Sequence, residues 1–166
     1  FLDAYVLEQK KLGKIIRPML QGQVAVITGG GGAIGLGIAD RLLAHGAAVV
    51  LCDIDEARLQ KVHSILSTKY GDSHLEQAAF DVTDFKSVGN AFAEISRKLG
   101  GIDLLIPNAG IAHVARIEDL DPEKFDQVMA VNLKGTFNVI KASIPIFRRQ
   151  GTGGNIVVIS SKNVFD

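Results

Sequence analysis

The stretch VAVITGGGGAIGLG, residues 24–37, decides the fold of this chain. Its first five residues form a short apolar run that predicts a buried strand over 24–28. Four glycines follow, and apolar side chains then recur at helical spacing over 34–45, up to Gly46. A strand, a glycine loop and a helix in this order are the context in which glycines bind the phosphates of a dinucleotide.

Glycine suits this loop for a physical reason. A pyrophosphate must approach backbone N–H groups at a helix N-terminus, where the helix dipole is positive, and side chains would block that approach. Gly35 would also let the helix pack closely on the strand. The alternative is a flexible glycine turn without a ligand; the position at the first turn between strand and helix favours the dinucleotide.

The remaining chain alternates apolar strands with helices. Strands are predicted at 49–52, 77–80, 104–106 and 156–159, and helices at 56–68, 85–99 and 121–149, the last with a bend near Pro145. This alternation predicts right-handed βαβ units in an α/β, Rossmann-type doubly wound parallel sheet of order 3-2-1-4-5. The ligand crevice then falls between strands 1 and 4, where the order reverses.

Two units are expected along the chain. Residues 1–22 predict a short helix and a linker, and residues 23–166 predict an NAD-binding domain that ends soon after strand 5. Because the chain starts with Phe1 and not Met, we expect it to be a fragment of a longer protein.

An acid follows the second strand. Asp53 lies about 20 residues after the glycines, where a carboxylate can bind both ribose hydroxyls of the adenosine half. It would also repel a 2′-phosphate, and no Lys or Arg lies within the glycine loop or directly beside Asp53, so NAD is favoured over NADP. The alternative is that Asp53 or Asp55 only caps the helix that begins near residue 56, and Asp55 is the better cap.

The composition excludes several functions. The chain has 18 basic and 18 acidic residues, and this zero net charge argues against nucleic-acid and membrane-surface partners. Cys52 is the single cysteine, so no internal disulfide forms, which fits a cytoplasmic location. The four histidines show no metal-ligand spacing, so no metal site is expected.

Further motifs follow the glycine loop in a fixed order. They are Thr28-Gly29 with Gly35, Asp81-Val82, Asn108-Ala109-Gly110, Asn132 within Val-Asn-Leu, and Ser160-Ser161. Together they resemble the classical short-chain dehydrogenase/reductase family over residues 23–166. Two positions depart from the family pattern, since Ala33 replaces the middle glycine and Pro107 replaces the first Asn of its Asn-Asn-Ala-Gly motif.

The resemblance implies a cofactor site and half of a catalytic site. The cofactor residues would be Thr28, Gly29, Gly32, Ala33, Ile34, Gly35, Asp53, Asp81, Val82, Asn108, Ala109 and Gly110. Asp81 would bind the adenine amino group, and the segment from Asn108 would stabilise the central sheet and line the cofactor cleft. Of the four catalytic groups, Asn132 would hold a water and Ser161 would bond the substrate oxygen.

The implied reaction transfers a hydride between a secondary alcohol or ketone and the nicotinamide ring. In the family a Tyr and a Lys follow the Ser by roughly a dozen or more residues. The chain ends at Asp166, and Tyr5 and Tyr70 lie in other elements, so the 166 residues alone are expected to be inactive. The alternative function is a non-catalytic dinucleotide-binding module.

A narrower resemblance concerns the substrate. Ser161-Lys162-Asn163 and the leader are similar to the dehydrogenase half and linker of bifunctional rhamnulose-phosphate aldolase/dehydrogenases. It implies a small-molecule substrate of the sugar or sugar-phosphate type, and leaves open whether an aldolase domain precedes Phe1. The family resemblance also implies a homo-oligomer, a dimer or tetramer, in the full-length protein.

Overall fold

The fold is a parallel sheet, described by a computed structural model for residues 19–160. Its strands have the order β3-β2-β1-β4-β5, which confirms the predicted topology. The strands are β1 (Val24–Thr28), β2 (Ala48–Asp53), β3 (Leu75–Ala79), β4 (Leu104–Ile106) and β5 (Asn155–Ile156). The predicted N-terminal helix lies outside the described residues.

The helices cover both faces of this sheet. They are α1 (Ala33–Ala44), α2 (Glu56–Tyr70), α3 (Phe85–Leu99), α4 (Pro122–Val128) and α5 (Thr136–Gln150). The predicted cap of α2 is confirmed, because the Asp55 carboxylate accepts a hydrogen bond of 3.0 Å from the Arg58 N–H. Within residues 19–160, no helix is long and apolar enough to cross a bilayer.

Alternate residues of each central strand enter two separate cores. Val24 and Val26 pack into the core on the α3 and α5 face. Ala25 and Ile27 pack into the core on the α1 and α2 face. Because both faces of the strands are buried, the strands read as continuous apolar runs, which is why they stand out in the sequence.

The helix predicted over 121–149 is not a regular α-helix throughout. A π-helical segment, Met129–Gly135, separates α4 from α5. The Thr136 hydroxyl donates a 2.7 Å hydrogen bond to the carbonyl oxygen of Asn132 inside this segment. Such side-chain donors compete with backbone donors, and π turns occur often at functional sites.

Three predicted strands have different bounds in the structure. β2 spans 48–53 where 49–52 was predicted, β3 spans 75–79 where 77–80 was predicted, and β5 spans two residues where 156–159 was predicted. The β4–β5 bonding continues beyond Ile156, because Val157 N–H donates to the Leu105 carbonyl and Ile159 N–H donates to the Pro107 carbonyl. Pro107 has no N–H to donate in return, so regular pairing ends there.

Candidate cofactor site at the carboxyl ends of the strands

The glycine loop approaches neighbouring backbone too closely for side chains at two positions. Gly29 has a φ of +65°, and a Cβ there would lie 2.9 Å from the Ala109 Cα. A Cβ on Gly35 would lie 2.5 Å from the Gly29 carbonyl oxygen. Contacts this short do not occur in folded proteins, so the path of the loop requires glycine at both positions.

The loop leads into an open helix N-terminus. Gly32 caps α1 without a side-chain hydrogen bond, and the first helical bond joins the Leu36 N–H to the Gly32 carbonyl at 2.9 Å. The N–H groups of residues 33–35 therefore have no acceptor within the helix, and they carry its positive dipole end. Ala33, which replaces a family glycine, is exposed at the first helical position.

A cavity of about 580 Å³ lies beside this helix end, within the range of small-molecule sites. Its walls include ten of the twelve predicted cofactor residues: Gly29, Gly32, Ala33, Ile34, Asp53, Asp81, Val82, Asn108, Ala109 and Gly110. The other two, Thr28 and Gly35, are buried. The structure thus gathers side chains from the ends of β1, β2, β3 and β4 at one edge of the sheet.

Asp53 is bound to the glycine loop. Its Oδ2 accepts a 3.0 Å hydrogen bond from the Gly31 N–H, and its Oδ1 accepts one of 3.2 Å from the Asp55 N–H. The side chain is half-buried in the cavity wall. Because each carboxylate oxygen has two lone pairs, Asp53 can accept further bonds from ribose hydroxyls.

Arg58 lies near Asp53 in the structure, and the sequence interpretation did not identify it as a residue of the site. It lines the same cavity, and its Cβ lies 2.8 Å from where a Cβ on Gly31 would be. Its Nε pairs with the Asp55 Oδ2 at 3.2 Å. Asp55 caps α2, so the residue three positions later lies over the cap. That spacing is the signal that could have located Arg58.

Thr28 and Asn108 tie the ends of β1 and β4 together. The Thr28 hydroxyl oxygen accepts hydrogen bonds of 3.1 Å from the N–H groups of Asn108 and Ala109. The Asn108 side-chain amide donates to the carbonyl oxygens of Thr28 (3.0 Å) and Gly29 (3.1 Å). This network fixes the floor of the cavity at the reversal of strand order.

The Asp81–Thr83 loop forms another wall. The Asp81 Oδ1 accepts a 2.8 Å hydrogen bond from the Thr83 N–H, and Val82 is buried. Asn138 of α5, which the sequence interpretation did not single out, is buried behind this loop and donates to the Val82 carbonyl at 2.8 Å. Neither its type nor its spacing marks it in the sequence.

Asn132 is held by the backbone that leaves β4. Its Oδ1 accepts from the Ile111 N–H and its Nδ2 donates to the Ile111 carbonyl, each at 2.9 Å. Ile111 and Gly110 line the cavity, so Asn132 stands at its edge. Ser161, the other predicted catalytic residue, lies outside the described residues.

Two other reactive side chains lie apart from the cavity lining. The Tyr70 hydroxyl donates to the Asp40 Oδ1 at 3.0 Å, at the end of α2. Burial raises the pKa of the Cys52 thiol, and the Asp53 charge raises it further, so this thiol stays neutral. Neither group is placed to transfer a proton to a ligand in the cavity.

Comparison with known proteins agrees with the fold. The family model described as short chain dehydrogenase matches residues 23–166. The short chain dehydrogenase/reductase dpfgG of Gibberella zeae is 36% identical over 146 residues, which cover 87% of this chain and 53% of that protein.

Two solved structures are similar as well. A NAD+-bound xylitol dehydrogenase superposes with a TM-score of 0.81 at 31% identity, over 86% of this chain and 54% of its own. A gluconate 5-dehydrogenase of Burkholderia cenocepacia, in complex with NADP and tartrate, has a TM-score of 0.78 at 34% identity, over 87% and 56%. The chain thus spans about half the length of the relatives it matches.

Proposed function

Since the chain belongs to the short chain dehydrogenase family, we propose that its cavity binds a nicotinamide dinucleotide, with NAD preferred over NADP. The observation that carries the proposal is the Asp53 carboxylate in the cavity wall beside the glycine loop. A carboxylate there accepts ribose hydroxyls and repels a 2′-phosphate. Similar structures hold NAD+ in one case and NADP in another, so the preference depends on the residues of this chain.

Different lining residues would bind different parts of the dinucleotide. The free N–H groups at the start of α1 would bind the pyrophosphate, because the helix dipole and the glycine cradle favour an anion. Asp53 would hold the adenosine ribose, and Asp81 with Val82 would hold the adenine. When bound, the nicotinamide ring supplies a hydride acceptor or donor.

The reaction we propose is oxidation of a secondary alcohol or reduction of the ketone. Asn132 would hold a water for proton relay, and Ser161 would donate a hydrogen bond to the substrate oxygen. The two tyrosines of the chain are Tyr5 and Tyr70, and Tyr70 is bonded to Asp40. We expect the 166 residues to bind the cofactor without turnover, because Tyr70, the tyrosine that the structure describes, bonds to Asp40 and does not line the cavity.

The substrate class we propose is a sugar, polyol or sugar phosphate. A xylitol dehydrogenase and a gluconate 5-dehydrogenase are among the similar structures, which supports polyhydroxylated substrates. The narrower resemblance to bifunctional aldolase/dehydrogenases stays a prediction, since Ser161-Lys162-Asn163 and the leader lie outside residues 19–160. Assembly as a homo-oligomer also stays a prediction.

Titration of this chain with NAD and NADP tests the proposal. Calorimetry should show tighter binding of NAD, and Asp53→Ala should weaken NAD binding and narrow the preference. Asp72→Ala, in the exposed loop after α2, is the matched control and should bind as the unmodified chain does. Tighter NADP binding by the unmodified chain, or equal NAD binding by Asp53→Ala, would contradict the assignment.

A further inference from the structure

We propose that Asn138 is a positioning residue for the adenine half of the cofactor, an inference that rests on the proposed dinucleotide binding. Asn138 lies on α5, behind the cavity wall, and is 3% exposed. It belongs to neither the glycine loop nor the catalytic motifs. Its contacts point to the loop that carries Asp81.

The Asn138 amide holds two consecutive carbonyls of that loop. Its Nδ2 donates to the Val82 carbonyl at 2.8 Å and to the Thr83 carbonyl at 3.3 Å. The Asp81 carboxylate in turn accepts from the Thr83 N–H at 2.8 Å. The conformation of Thr83 therefore links the buried amide to the direction of the Asp81 side chain.

The polar side chain at this position needs an explanation. The hydrophobic core on the α3 and α5 face of the sheet includes Val139, the next residue of α5, and Val88. A buried amide costs free energy unless it is hydrogen-bonded, so a core that needed only volume would be served better by Leu. What Asn138 adds is a donor for the carbonyls of Val82 and Thr83, which follow Asp81 directly.

The same helical stretch also contacts the segment after β4, which forms another wall of the cavity. Asn132 holds Ile111 from the π segment, and Gly135 packs so closely on Val82 that a Cβ there would lie 2.6 Å from the Val82 Cγ2. Residues 132–138 therefore contact both the Asp81–Thr83 loop and the segment after β4. Loss of the Asn138 amide should loosen the Asp81–Thr83 loop alone, because the bonds of Asn132 to Ile111 remain.

The test compares ligands that use different parts of the cavity. In Asn138→Leu, which keeps the branched shape of the side chain but removes the amide, the dissociation constants of NAD and of AMP should both rise about tenfold. The dissociation constant of inorganic pyrophosphate should not change, because the glycine loop is not altered. Hydrogen exchange should quicken at the Thr83 amide and stay unchanged at the Ile111 amide.

Ser143→Ala is the matched control. Ser143 is also buried on α5, but its hydroxyl donates within the helix, to the Ile140 carbonyl at 2.8 Å. This variant should lose some stability and bind AMP as the unmodified chain does. A role in stability alone would make the two variants behave alike.

Asn138→Asp provides a second, nearly isosteric variant. At neutral pH its carboxylate would face two carbonyl oxygens and cannot donate, whereas the neutral acid regains one O–H donor. Affinity for AMP should therefore recover as the pH falls in Asn138→Asp, relative to Asn138→Leu at the same pH. If Asn138→Leu does not fold, the comparison uses Asn138→Asp across pH with the unmodified chain as reference.

The outcomes separate this inference from the proposed function. If the unmodified chain binds neither NAD nor AMP, the proposed function fails and this inference fails with it. If the unmodified chain binds both, two results overturn this inference alone. One is unchanged AMP binding by the Asn138 variants, and the other is an equal loss of pyrophosphate binding.

Discussion

Arg58 lines the same cavity as Asp53 and is paired with Asp55, with 3.2 Å between its Nε and the Asp55 Oδ2. The pair is largely exposed, so it contributes little to stability. Its position matters more, because Arg58 is the one Lys or Arg among the described residues that line the cavity, and Asp53 lines the same cavity. Asp55 therefore opposes any attraction that Arg58 exerts on NADP.

Asp55→Asn should shift the cofactor preference toward NADP. Asn still caps α2, so the helix is retained, but the charge that holds Arg58 is lost. NADP affinity should rise about tenfold or less, with little change for NAD, as measured by calorimetry at low salt. In Asp55→Asn with Arg58→Ala the gain should vanish, and a gain that persists there would exclude Arg58 as its source.

Gly35→Ala should damage the glycine loop. The added Cβ would lie 2.5 Å from the Gly29 carbonyl oxygen and 2.8 Å from the Gly30 Cα, and both are backbone atoms that cannot rotate away. We expect a loss of about 1–3 kcal/mol in unfolding free energy and at least tenfold weaker NAD binding. Urea unfolding and titration measure the two effects.

Gly37→Ala in the same helix is the control for that variant. A Cβ on Gly37 meets nothing within 4 Å, and the position is exposed. Because Ala is a better helix former than Gly, this variant should gain up to about 1 kcal/mol. Normal NAD binding by Gly35→Ala would show that the loop tolerates a side chain there.

Thr28→Val should destabilise the junction of β1 and β4. The Thr28 hydroxyl accepts from the N–H groups of Asn108 and Ala109, and Val, of the same shape, accepts from neither. Leaving these donors without an acceptor should cost about 1–3 kcal/mol in urea unfolding. Thr28→Ser keeps the acceptor and should lose clearly less; a stable Thr28→Val beside a destabilised Thr28→Ser would show that the methyl group, not the hydroxyl, matters.

Asp40 should make a pH-dependent contribution to stability. Its hydrogen bond with Lys69, and then that with Tyr70, hold the pKa of Asp40 below the ordinary value of 3.8. Because the folded pKa is the lower one, the contribution is present above the unfolded pKa and is lost as the pH falls through the folded pKa. We expect it to be small, since Asp40 and Lys69 are at the surface.

Thermal unfolding of Asp40→Asn checks this. At pH 7 its melting temperature should lie slightly below that of the unmodified chain, and the difference should shrink in acid and in high salt. Asp72→Asn, in an exposed loop, should show no such difference. A gap that widened as the pH fell would contradict the sign of the shift.

Much of the fold could be predicted because its signals are local. The apolar run of β1, the glycines after it and the cap Asp55 each lie within a few residues of the element they begin or end. Strand order followed from the rules for right-handed crossovers and for doubly wound sheets. Strand boundaries were predicted less accurately where pairing with a neighbouring strand decides them. At β5, regular pairing ends because Pro107, just after β4, has no N–H to donate.

The amino-acid sequence by itself determined the βαβ order, the glycine loop at the first turn and the acid that ends β2. Each depends on the period of apolar residues or on the backbone freedom of glycine, which neighbouring residues express without help from the rest of the chain. Only the tertiary structure brought Asn138 against Val82, 56 positions away, and seated Arg58 in the wall beside Asp53. The Asn138 contact depends on how α5 packs on the finished sheet, which no local pattern encodes, whereas the spacing from Asp55 points to Arg58 but not to the cavity that it lines.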